Sequence, residues 1–163
     1  MGRNSVNTLI EEKWVWIAGV HAMRSGLIEN LSDADLAFNP GGQNSSLGAL
    51  FREIGQIEQS YIDSFKDFKQ DFLYRHPDPM LGTSVTQLNV WFQSMDNAFK
   101  DTLSTITEAN AHKSIQRPAR NAVTLSLQVD IYIQAMMIFF GKAIIYYRAM
   151  DKPLPHSIQA YIA

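Results

Sequence analysis

The sequence predicts an all-α fold, a four-helix bundle with one or more longer crossover loops. Three observations predict it. Four long segments carry apolar residues every three or four positions, breaker-rich loops separate them, and no run alternates with the period of a strand. An apolar content of 46%, with 11% aromatic residues over 163 positions, suffices for a core of ordinary size.

The first segment spans about residues 5–31. Ile10, Trp14, Ile17, His21, Arg24, Ile28 and Leu31 form one stripe, and Leu9, Trp16, Val20, Met23 and Leu27 the next, giving a broad inward face. The loop after it contains Pro40, Gly41 and Gly42 and cannot remain helical. The second segment, 46–70, has Leu47, Leu50, Ile54, Ile57, Tyr61, Phe65 and Phe68 as its stripe and Asn44, Ser45 and Ser46 as N-cap candidates. Pro77 and Pro79 bar its continuation. The third, 85–106, opens with Ser84 three residues before Gln87, a capping-box spacing, and lines up Leu88, Trp91, Met95, Phe99 and Ile106. A polar loop, 107–123, follows.

The fourth segment, 125–150, starts behind Thr124 as N-cap and is apolar on nearly every side, from Val129 through Ile138 and Phe140 to Tyr147. Such a helix must be covered all round, and three neighbours cover only part of it. The expected cover is a second copy of the chain, in a homodimer. The alternative is that the tail, 153–163, folds back over it.

Composition excludes several function classes. Fourteen basic and sixteen acidic residues are well mixed, the net charge is −2, and no basic stripe suggests nucleic acid. The absence of cysteine removes disulfides, thiolate metal sites and a cysteine nucleophile. Glu11, Glu12 and Lys13 interrupt any secretory h-region. The most apolar run, 135–147, is broken by Lys142 and falls short of the ~20 residues of a membrane span. These features set the expectation of a cytoplasmic protein without a membrane partner.

Two stretches carry a family resemblance. Residues 44–62, NSSLGALFREIGQIEQSYI, resemble the second-helix start of the DinB/YfiT-like four-helix bundles: a serine cap, a Leu-Gly pair, then apolar positions leading to a histidine and an acidic residue. Residues 124–155 resemble the last helix of that superfamily. There a threonine cap precedes an H-x-x-x-H pair, and Thr124, Gly141, Tyr147, Arg148, Pro153 and Pro155 keep the spacing without a gap. The resemblance implies one DinB-like bundle domain over 1–163. It also implies a zinc or nickel ion on three imidazoles, serving a thiol transferase or hydrolase. The three imidazole positions fall on Glu53, Ala135 and Phe139, so two of three offer no lone pair and the expectation is a degenerate site with no metal or other cofactor.

His21 and Arg24 lie three residues apart on an apolar stripe, and a buried carboxylate needs a partner. Glu53 is therefore expected to contact one of them, filling the vacated pocket with an ion pair. A His21–Glu53 metal site, with Asp130 or Gln134 nearby in sequence, is the lesser reading, since the family's inward face in the last helix runs through Gln128, Tyr132, Ala135 and Phe139. His76, His112 and His156 are expected on the surface, the Trp14/Trp16 and Phe139/Phe140 pairs in the core. No serine or threonine stands with a histidine and an acid at a nucleophile's spacing, and Gly41 and Gly42 follow no strand. The functional expectation is a non-catalytic binding or interaction module that dimerises. The alternatives are the metal-dependent thiol transferase or hydrolase and a carrier that holds a small apolar ligand in the vacated pocket, with Glu53, His21, Arg24, Tyr132, Ala135 and Phe139 as lining candidates.

Overall fold

A computed structural model describes residues 7–162. In chain order the elements are α1 (Thr8–Glu29), α2 (Asp33–Leu36), α3 (Leu47–Asp67), a 3-10 turn (Leu81–Thr83), α4 (Val85–Ser104), α5 (Glu108–Ala111), β1 (Ser114–Arg117), β2 (Arg120–Thr124), α6 (Leu125–Ala149) and α7 (His156–Ile162). The four predicted segments are the four long helices. Residues 5 and 6 of the first segment lie outside the described residues. Asn7 caps α1, its side chain accepting from the Ile10 amide. Ser46, Ser84 and Thr124 cap α3, α4 and α6 in the same way.

Side-chain contacts fix the directions. Gln128 meets Ser64 while Tyr146 meets Ser45, so α3 and α6 run antiparallel. Lys13 meets Asp130 while Tyr147 reaches the Leu27 carbonyl, so α1 and α6 run parallel. Gly55 lies against Trp91 and Phe65 against Phe99, so α3 and α4 are parallel too. The bundle is thus up-down-down-up, with α1 beside α4 and α6, α3 beside the same two, and α1 diagonal to α3.

Parallel neighbours need a connection that travels the length of the bundle, and residues 68–84 supply it. α3 stops at Asp67 because Phe68 turns left-handed (φ 52°), three residues short of the predicted end. The crossover then returns to the start of α3, where Gly82 packs backbone to backbone on Gly48. His76, expected as a solvated turn residue, is half-buried and pins this path. Its ring stacks edge-on against Trp91 (4.8 Å between centroids), and its carbonyl accepts from Arg52 at 2.7 Å.

Three further expectations are corrected. The polar loop 107–123 contains α5 and an antiparallel β1–β2 hairpin, turned at Pro118–Ala119 with Ala119 at φ 53°. Its anchor is Ile115, fully buried, and a four-residue strand with one inward side chain shows no period in sequence. The tail as far as Ile162, the last described residue, packs its α7 on α1 rather than over α6, and Gly26 lets Ser157 approach there. Of the expected core tryptophans, Trp14 is half-buried and Trp16 is 65% exposed. α6 reaches 25 residues, beyond the apolar run seen in sequence, and by length and composition alone is long enough to cross a bilayer. Its inner face, through Gln128, Tyr132, Met136, Phe140 and Tyr147, is packed inside the bundle.

Candidate functional site: a buried charge cluster

At mid-bundle, α1, α3, α4 and α6 each contribute a polar side chain to one cluster. Arg24 of α1 is fully buried, and its guanidinium donates to Glu58 of α3 and Asp96 of α4. Glu58 has no exposure, while Asp96 is 27% exposed and forms the side of the cluster nearest solvent. His21, one turn before Arg24, points its Nδ1 at Asp96 Oδ1 (3.0 Å) and its Nε2 at Glu58 Oε1 (3.1 Å). The buried Tyr132 hydroxyl of α6 is 3.1 Å from His21 Nε2. Phe92 closes the cluster, its ring 4.3 Å from the Arg24 guanidinium and its carbonyl accepting from Nη2.

The electrostatics follow from burial and pairing. Burial alone would push the Glu58 carboxyl up. Burial is the largest single influence, but Arg24 and His21 together outweigh it and hold Glu58 down at about 2. Arg24 is subject to the same contest: desolvation opposes its charge, and Glu58, Tyr132 and Asp96 more than restore it, so its pKa is raised. Burial first and the Glu58 charge second push the Tyr132 hydroxyl well above the ordinary tyrosine value, so it stays protonated.

His21, Arg24 and Tyr132, chosen from the sequence, are thus brought together. Glu53 is not among them: it is exposed on α3, and the internal carboxylate is Glu58. Five residues along a helix carry Glu58 about 140° round from Glu53, onto the face of Phe51, Ile54, Tyr61 and Phe65. Ala135 and Phe139 are half-buried on α6 and contribute no atom to the cluster. A stripe drawn through Ile57 hides Glu58, although its inward position follows from the steps 51, 54, 58, 61, 65. Asp96 gave no comparable signal, because the inward face of α4 reads through Met95 and Phe99 on either side of it.

A metal fits this arrangement poorly. His21, Glu58 and Asp96 bring potential ligand atoms within 4.8 Å of one another. The two carboxylates, however, address different nitrogens of one ring, and a neutral imidazole has only one nitrogen lone pair to give. Arg24 also bonds both carboxylates and, fully buried, already supplies the cation they need. Ala135 and Phe139, where the sequence resemblance expects imidazoles, have side chains without a donor atom. A second polar network lies toward the hairpin. Arg117 donates to Gln128 (2.7 Å), which donates to Ser64 and Gln70, tying β1 and the start of the crossover to the bundle.

The up-down-down-up helices, long crossover and short hairpin define a four-helix bundle with one crossover connection. The chain is similar to the crystal structure of a DinB-like protein, YjoA, from Bacillus subtilis, with a TM-score of 0.67, 16% sequence identity, and coverage of 88% of this chain and 97% of that one. At that identity the likeness is one of fold. No protein-family model matches the chain, and no curated protein matches it.

Proposed function

We propose that this DinB-like bundle is a non-catalytic interaction module that works as a homodimer through the outer face of α6. The observation that carries the reading is the donor set. Where the resemblance expects two imidazoles on the last helix, Ala135 and Phe139 stand, while the one interior carboxylate–histidine cluster among the described residues is already occupied by its own guanidinium. The homodimer is supported by the apolar outer face of α6, with Leu127, Ile138 and Ile145 exposed and the tail engaged on α1 instead. Elemental analysis of protein purified without chelator tests the first half: well under one zinc or nickel per chain is expected. One metal per chain that follows His21→Ala would establish the alternative, a metal-dependent transferase or hydrolase. Light scattering tests the second half, with a mass of two chains expected.

A further inference from the structure

The four titratable groups at mid-bundle close into a ring. Arg24 donates through Nη1 to Glu58 Oε2 and through Nη2 to Asp96 Oδ1. His21 bridges the same two carboxylates, with Nδ1 3.0 Å from Asp96 Oδ1 and Nε2 3.1 Å from Glu58 Oε1. A neutral imidazole has one N–H and one lone pair, so either tautomer would aim a lone pair at one of these oxygens. Glu58 Oε1 is buried, and no other hydrogen bond reaches it. We propose that His21 carries a proton on both ring nitrogens at neutral pH, and that this proton is a clasp holding Asp96 of α4 to the core, released when the ring becomes neutral.

The charge count supports the clasp. With both ring protons in place, Arg24 and His21 alternate with Glu58 and Asp96 and the cluster is neutral. Without one of them a negative charge is left uncompensated where little water reaches. No other group facing the ring alters that count. The Tyr132 hydroxyl of α6, 3.1 Å from Nε2, stays protonated and uncharged. Trp14 and Phe99 present aromatic rings, and the ammonium of Lys100 sits over the Trp14 ring at 5.5 Å. Asp96 is the member that can yield, because its side chain is 27% exposed while Arg24 and Glu58 have no exposure. Loss of the proton turns Asp96 to water, leaves the Arg24–Glu58 pair intact and loosens α4 from α1. Closure binds the proton, so the closed arrangement is favoured on the acid side of the His21 transition and lost as pH rises through it. The clasp goes beyond the function proposed above but rests on its metal-free reading of the cluster, since a metal would need a ring lone pair.

Nitrogen NMR of the histidine rings, with His21 assigned by its loss in His21→Gln, reads the proton directly. At neutral pH both His21 nitrogens should be protonated. In Asp96→Asn, where one anion is gone, one nitrogen should be bare. A bare nitrogen in the wild type would overturn the proposal, and so would an Asp96→Asn ring that keeps both protons. Amide exchange reads the release. As wild-type His21 loses its proton on raising the pH, protection of the α4 amides around Asp96 should fall roughly tenfold or more beyond the intrinsic effect of pH, while the α3 amides around Glu58 keep theirs. Asp96→Asn should show no such step. Protection of α4 that passes unchanged through the His21 transition, or a ring that keeps both protons until the chain unfolds, would overturn the release of Asp96. Metal measured in the same wild-type sample would overturn the metal-free reading instead.

Discussion

Glu58 is ionised at the centre of the bundle because Arg24 is there, and Arg24 is tolerated because Glu58 and Asp96 accept from it. Removing one member strands the other, and stranded buried charges cost ~3–5 kcal/mol. Glu58→Gln should therefore lower stability at neutral pH by an amount in that range, while Glu53→Ala, on the surface, should stay within ~0.5 kcal/mol of wild type. Urea unfolding measures both. The pH dependence has a definite sign. The folded-state value of about 2 lies below the ordinary 4.5, so the contribution of Glu58 is present above pH 4.5 and is lost as pH falls toward 2. That loss is on the order of 3 kcal/mol. Wild type should lose it across this window, and Glu58→Gln should not. Three of the five polar members of this cluster, His21, Arg24 and Tyr132, were legible in sequence. His21 and Arg24 interrupt an apolar stripe and so demand a partner, but a partner sought among residues flanking a stripe leads to Glu53. Helical geometry, rather than hydrophobicity, selects Glu58.

The long helices were legible because each carries its own start signal and a sustained period: Ser46, Ser84 and Thr124 accept the amide hydrogen bonds their positions predict. What lies between them was not. The β1–β2 hairpin is held by contacts distant in sequence, with Phe68 and Gln70 pairing to Gln116 and Arg117 reaching Gln128. No local pattern encodes such contacts. The crossover is positioned by close packing at Gly48, where a Cβ would sit 1.8 Å from the Gly82 carbonyl oxygen. Neither backbone can give way without moving the start of α3 or the 3-10 turn. Gly48→Ala should accordingly cost ~1–3 kcal/mol. Gly19, in the interior of α1, has open space where its Cβ would be, so Gly19→Ala should add ~0.5–1 kcal/mol through helix propensity alone. Thermal melts of the two variants should move in opposite directions, and a stabilised Gly48→Ala would contradict the close approach.

At the scale of the molecule, α6 divides its apolar surface between two tasks. One face, through Val129, Tyr132, Met136, Phe140 and Tyr147, is the wall of the core, and the other carries Leu127, Ile138 and Ile145 into solvent. A chain stabilised by covering that second face must have a stability that depends on its own concentration, because folding and association are then linked. Each tenfold increase in protein favours the folded dimer by about 1.4 kcal/mol per dimer, or about 0.7 kcal/mol per chain, at 25 °C. For a chain of this size that corresponds to a rise in melting temperature of roughly 2 °C per decade of concentration. Ile138→Glu places a charge on this outer face, on a side chain 66% exposed in the single chain, so the core is untouched. The variant should melt at the same temperature at every concentration, close to wild type at its most dilute. A wild-type melting temperature that stays constant over three decades, or an Ile138→Glu variant that loses its fold when dilute, would place the stabilising role of this face inside the single chain instead.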